Sequence, residues 1–198
     1  MVSKWSDRLA KLAAEQRLAQ HEATAVIACG WLLTNQGQAK GGLSELSRGL
    51  DACMDLGLRE FEPYFKALLV EAHLAAGEAV VGLKVLQDAM RFAKESGVCF
   101  WDAGLLLLKG KLLACMSQDR GHEEVEGCYR EALAVARCQQ ARSLELRAAA
   151  SLARLWRDQG RRAEARALLK PIYGWFSEGF DTPDLRDAKA LLDESPPE

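Results

Sequence analysis

Nowhere in this 198-residue chain does an apolar run approach the ~20 residues needed to cross a bilayer. The opening residues, Met1-Val2-Ser3-Lys4-Trp5-Ser6-Asp7-Arg8, hold no apolar core of the kind that directs secretion. A cytoplasmic location is therefore the expectation. Prolines number only five and alternating β-branched runs are nearly absent, which argues against a strand-rich or loop-rich protein. No two of the six cysteines (Cys29, Cys53, Cys99, Cys115, Cys128, Cys138) are spaced as a CxxC pair. Lying mostly in apolar helical stretches, they read as reduced thiols used as small hydrophobes. An excess of one charge is missing too: 26 Lys and Arg against 28 Asp and Glu give a net charge of −2 and a pI of about 6.0. That balance excludes a surface built as a whole to neutralise phosphates.

What is present is helical. With 49% hydrophobic and 27% charged residues, the chain has enough apolar material for one ordered domain over 1–198. Alanine, leucine, glutamate and arginine dominate, so the expected class is all-α. Helical spacing predicts segments at 5–20, 23–35, 38–56, 62–76, 79–96, 100–116, 122–139, 142–159, 162–177 and 183–193. Small residues recur between them at Gly37, Gly77, Ser117 and Gly160, a period near 40 that marks a helical-hairpin repeat. Seven residues before each turn stand Gly30, Val70, Gly110 and Ala153. Five after stand Gly42, Gly82 and Ala165, with Val125 in the equivalent place of the third repeat. Four further on stand Leu46, Leu86, Tyr129 and Leu169.

This register resembles the tetratricopeptide repeat, in which a small residue lets helix A cross helix B closely and large residues fill the space beside it. The longer spacing is similar to that in the C-terminal regions of bacterial nucleotide-cyclase- and ATPase-linked regulators and of maltose-regulator-type transcription activators. The match is strongest from Ser143 to Ala149, Leu152 to Trp156, Gly160 to Ala165 and Gly179 to Leu185. The resemblance implies a right-handed superhelical solenoid of about four repeats (22–58, 62–97, 100–139, 142–178), an N-terminal helix in 1–21 and a capping helix in 181–194. Where alanine is expected, Gly42, Gly49 and Gly82 stand instead, each costing up to about 1 kcal/mol of helix stability, so the first two repeats are expected to be looser than the last. Pro171 falls inside the last B helix, where it is expected to kink the helix. Trp5, Leu9, Leu12 and Ala19 suggest a lone N-terminal helix packed on the first repeat. Asp181-Thr182-Pro183 offers a cap and an N1 proline for the last helix.

Catalytic and metal signatures do not complete. His122-Glu123-Glu124-Val125-Glu126 begins like HExxH, but Glu126 replaces the second histidine and the imidazole pair is lost. Gly37-Gln38-Ala39-Lys40-Gly41-Gly42 has neither the order nor the preceding strand of a phosphate loop, and reads as a turn followed by a close crossing. His73 falls on an inward helix face and reads as a satisfied core histidine. No nucleophile elbow or Cys–His pair is recognisable. The expectation is a protein without catalysis, cofactor or metal.

Helix A faces line the concave groove of such a repeat, and the resemblance places Trp31, Asn35, Tyr64, Glu71, Lys111, Arg147, Arg154 and Arg157 there. Aromatics at one end and guanidinium groups at the other suit a protein or peptide partner with an apolar anchor and an acidic stretch. Trp31 and Tyr64 read equally well as packing residues, and Trp5, Trp101, Trp156 and Trp175 read as core or inter-repeat packing. Residues 137–170 carry nine Lys and Arg against three Asp and Glu, while 171–198 are acidic. The favoured reading is a solvated arginine-rich helix surface, partly neutralised by the acidic tail; beside it stands a second functional expectation, a sensor of a small anionic ligand or nucleic acid at Arg147, Arg154, Arg157, Arg161 and Arg162. Without aromatic interleaving, nucleic acid is the less favoured partner. Exposed solenoid ends would permit a homodimer.

Overall fold

Ten α-helices and one 3-10 turn, with no strand among the described residues, make this an all-α helical-repeat fold. The computed structural model describes residues 2–116 and 122–194, and side chains from residue 8 onward except residue 10. By contacts the helices gather into two compact units, Met1–Trp101 and Asp102–Glu198. The first holds α1 (Val2–Gln16), α2 (Ala19–Asn35), α3 (Ala39–Asp55), α4 (Glu62–Ala75), entered through a 3-10 turn (Arg59–Phe61), and α5 (Ala79–Ser96). The second holds α6 (Asp102–Met116), α7 (His122–Cys138), α8 (Arg142–Asp158), α9 (Arg162–Tyr173) and α10 (Pro183–Asp193). Within each unit every helix packs on its neighbour in the chain, and α2 touches α4 just as α6 touches α8.

The turns explain why the helices stop where they do. Gly37, Gly77 and Gly160 all have left-handed backbones, with φ of 80°, 75° and 81°. In each, the glycine N–H and the next N–H return to carbonyls of the last helical turn: Gly37 to Thr34 and Gln38 to Leu33, Gly77 to Leu74 and Glu78 to His73, Gly160 to Arg157 and Arg161 to Trp156. This is the Schellman closure, which satisfies otherwise orphaned carbonyls. The same closure recurs at half the sequence period, at Gly57 between α3 and the 3-10 turn, and at the non-glycine positions Arg17 (φ 53°) and Gln140 (φ 55°). Arg17 ends α1 at Gln16, short of the expected residue 20, because a helix cannot continue through a left-handed residue. The expected turn at Ser117 lies outside the described residues. A left-handed conformation costs a side chain about 1–2 kcal/mol, partly offset by the unfolded-state freedom that glycine adds, so Gln140→Gly is expected to raise stability by about 0.5–1 kcal/mol in urea unfolding. An unchanged midpoint would show that Gln140 carries no strain.

Burial follows the repeat register. All twelve residues aligned around the turns are buried, and the small ones face the large ones directly. A Cβ built on Gly30 would stand 2.7 Å from the Leu46 backbone nitrogen, and one on Gly110 would stand 2.6 Å from Tyr129 Cδ1. Burial also pushes the Tyr129 hydroxyl pKa up to about 12. In the first unit, Ile27, Leu46, Leu50, Cys53, Phe65, Leu68 and Leu69 form one apolar cluster. Each such side chain contributes about 1.5–3 kcal/mol by leaving water.

In the first repeat, two glycines serve a close helix crossing. Gly42 and Gly49 sit where α3 crosses α2: a Cβ on Gly42 would lie 2.8 Å from the Gly30 carbonyl, and one on Gly49 would lie 2.6 Å from Ile27 Cγ1. Glycine there permits backbone-to-backbone contact that alanine would block. In α1 the inward residue is Ala13, at 1% exposure, whereas Leu9 and Leu12 are exposed and Ala19 belongs to α2. The Trp5 side chain lies outside those described. Thr182 precedes α10 as expected, yet its hydroxyl donates to the Gly179 carbonyl at 2.7 Å instead of accepting from the helix. Pro171 lies inside α9, which ends at Tyr173, four residues before the expected end. Of the cysteines, Cys53 and Cys128 are buried and Cys99, Cys115 and Cys138 are exposed.

Candidate functional site

In the first unit the predicted groove residues behave largely as packing. Trp31 on α2 and Tyr64 on α4 are half-buried against the apolar cluster. Tyr64 also meets Trp101 edge-on at 4.7 Å between ring centroids. Asn35 is exposed at the end of α2, where its side-chain amide donates to the Trp31 carbonyl at 2.8 Å. Glu71 is half-buried on α4. His73, in the last turn of α4, has Nδ1 2.9 Å from Glu78 Oε2, so it is partnered as expected but sits part-buried at the helix end instead of in the core.

The second unit concentrates the charge. Lys111 on α6 is half-buried. Arg147 and Arg154 lie two turns apart on α8, with Arg157 a further turn along, and all three meet acidic residues in α10 or at its C-cap. Arg154 Nη2 donates to both oxygens of Asp187 at 2.7 Å. Arg157 pairs with Glu194 and with its neighbour Asp158. Arg147 Nε lies 3.9 Å from Asp184 Oδ1. Leu185, Ala188 and Leu191 anchor α10 from its other face, all buried. Its seam with α8 and α9, lined by Ala153, Ala165, Leu169 and Leu191, holds no space for a water molecule. Exposed ion pairs of this kind are worth about 0–1 kcal/mol each, so the leucines hold the helix and the charges set its register.

Arg161 serves another network. It donates to Glu164 and, at 3.1 Å, to Glu126 on α7, which also accepts two N–H bonds from Arg130. Both guanidiniums lie over the Trp156 indole, Arg161 at 4.5 Å and Arg130 at 5.1 Å. Burial pushes the Glu126 carboxyl upward in pKa, but the Arg130 hydrogen bonds and the neighbouring charges outweigh it and hold the group below the ordinary glutamate range. The buried Trp156 N–H lies close enough to that carboxyl to assist, outside proper hydrogen-bond geometry.

A third arrangement joins residues that sequence reasoning had not put together. Arg137 ends α7, Arg142 begins α8, and Glu145 sits one turn into α8 with its side chain only 6% exposed. Arg137 Nε donates to Glu145 Oε1 at 2.9 Å and Arg142 Nη1 to Oε2 at 2.7 Å. Burial raises the Glu145 pKa, and the two guanidiniums more than reverse that, so the carboxyl stays ionised below the usual range. Trp175, expected to be packed inside, is 58% exposed beyond the end of α9, with Arg142 over its ring at 5.1 Å. Arg142 and Glu145 share a helix turn and could have been paired from spacing. Trp175 follows a helix end, where no periodicity assigns it a face.

Among the described residues, no three His, Cys, Asp or Glu side chains gather as metal ligands, and no helix is long and apolar enough to cross a membrane. His122 stands exposed at the start of α7, followed by Glu123 and Glu124 in the first turn. The fold and its clusters therefore define an all-α helical-repeat protein with an internally paired arginine face. No protein-family model and no curated protein matches the chain.

Proposed function

We propose that this chain is a non-catalytic interaction module of tetratricopeptide-like repeats that binds a protein or peptide, in a bacterial cytoplasmic signalling or transcription system. The observation that supports it is the seat of α10. An acidic amphipathic helix lies along α8, with Leu185 and Leu191 buried and the carboxylates of Asp187 and of the C-cap Glu194 on Arg154 and Arg157. The arginine face is thus suited to an acidic helical segment with an apolar stripe, the partner chemistry that helix-in-groove recognition uses.

The test is affinity capture from native lysate with wild type and with Arg154→Glu/Arg157→Glu. The double variant is expected to keep its helical circular dichroism and lose its partner, at least a tenfold fall in recovered protein, about 1.4 kcal/mol or more. A folded double variant that recovers the same partner in the same amount removes the groove assignment.

A further inference from the structure

The ends of α7 and α9 and the start of α8 enclose a half-open cleft of about 220 Å³, lined by Arg137, Arg142, Glu145, Pro171, Ile172 and Trp175. It goes beyond the partner-capture reading and uses none of the residues assigned to the groove. Its volume is below the roughly 300–1,000 Å³ of pockets for drug-sized ligands, so it suits a group about the size of one side chain. Pro171, Ile172 and Trp175 supply apolar wall, with Ile172 buried and Trp175 open to solvent.

The polar side of the cleft is held in place from beneath. Glu145 is nearly sealed from water and uses one carboxylate oxygen for each guanidinium. A guanidinium carries five N–H groups. Arg137 gives Glu145 only its Nε–H, and Arg142 gives only an Nη1–H, so both keep donors for a ligand while their inner edges are fixed. Two cations on one carboxylate leave one positive charge unbalanced in the lining. Because the Arg142 guanidinium is itself stacked on Trp175, the cation and the apolar wall are adjacent. A group that touches both must carry its negative charge within a few bonds of its apolar body.

We propose that this cleft is a binding site for a monocarboxylate borne within a few bonds of a bulky aryl or branched alkyl group, with the carboxylate on Arg137 and Arg142 and the apolar body against Trp175 and Ile172. A free acid and the last residue of a peptide present the same chemistry. The probe is 3-phenylpropionate, titrated into the ¹⁵N-labelled full chain while the Trp175 indole N–H resonance, assigned with Trp175→Phe, is followed. A saturable shift is expected with a Kd of about a millimolar, as befits so few ligand atoms. It should weaken at high salt, and by roughly tenfold with 3-phenylpropionamide, with acetate, or in Arg142→Gln. Arg142→Lys, which keeps the charge and loses the fork, is a second variant whose affinity should also fall. Acetyl-Ala-Ala-Phe with a free carboxylate separates the sources: tighter binding than 3-phenylpropionate assigns a peptide terminus, weaker binding a free acid. Equal shifts with the amide, unchanged affinity in folded Arg142→Gln and Arg142→Lys, or no saturable shift at tens of millimolar would overturn the proposal and leave partner capture unaffected.

Discussion

Gly42→Ala is expected to destabilise the first unit by about 2 kcal/mol, although the substitution improves helix propensity by about 1 kcal/mol. The reason is where the new methyl goes. It would stand 2.8 Å from the Gly30 carbonyl oxygen and 3.0 Å from the Thr34 backbone nitrogen, both on α2. A side chain can rotate away, but backbone cannot. The nearest atom is the Thr34 hydroxyl, which donates to the same Gly30 carbonyl and would lose that bond on turning aside. α2 and α3 must therefore separate, and the cluster around Ile27, Leu46 and Leu50 loosens with them. Gly127→Ala is the control: in α7 a Cβ at Gly127 meets nothing within 4 Å. That change should raise stability by about 0.5–1 kcal/mol, and urea unfolding of both variants reads the difference in sign. A neutral or stabilised Gly42→Ala would show that the crossing has slack.

Releasing α10 should have an effect of similar size with a different readout. Leu185 and Leu191 are 4% and 7% exposed, and Leu185→Asn/Leu191→Asn both removes their apolar burial and leaves amides without partners. At about 1.5–3 kcal/mol per leucine, plus the cost of unpaired polar groups, the loss exceeds what three surface ion pairs can hold. Amide hydrogen exchange should show protection lost across 183–193 and retained in α8 and α9. Arg147, Arg154 and Arg157 would lose Asp184, Asp187 and Glu194, so the variant should elute from a polyanion column at higher salt than wild type. Unchanged protection, or unchanged elution with α10 released, would show that these arginines do not form the accessible basic face.

The glycine beat was legible because turn closure is local: a left-handed residue, two returning hydrogen bonds and the flanking helix ends lie within a few residues. Gly57 continues the same rhythm, whereas Arg17 and Gln140 take the left-handed turn without being glycine, so residue type does not mark them. The burial of Gly30, Val70, Gly110 and Ala153 was equally readable, because helical spacing gives each position a face. What a glycine does on that face was not. Gly42 reads as a weakened alanine until the opposing carbonyl is known to be 2.8 Å from its absent methyl.

Of the candidate site, the charges and their partial neutralisation by the acidic tail were legible, but not which arginine meets which carboxylate. Arg154 and Asp187 are 33 residues apart and Arg157 and Glu194 are 37 apart, distances to which no helical period applies. Trp175 illustrates the same limit, because its exposure depends on α9 ending at Tyr173 and on Arg142 arriving from another helix. Helix content, helix ends and inward faces thus follow from interactions between residues near in sequence. Which arginines are neutralised, which glycines are indispensable and where a cleft opens follow from contacts between helices, whose geometry depends on every side chain in the crossing at once.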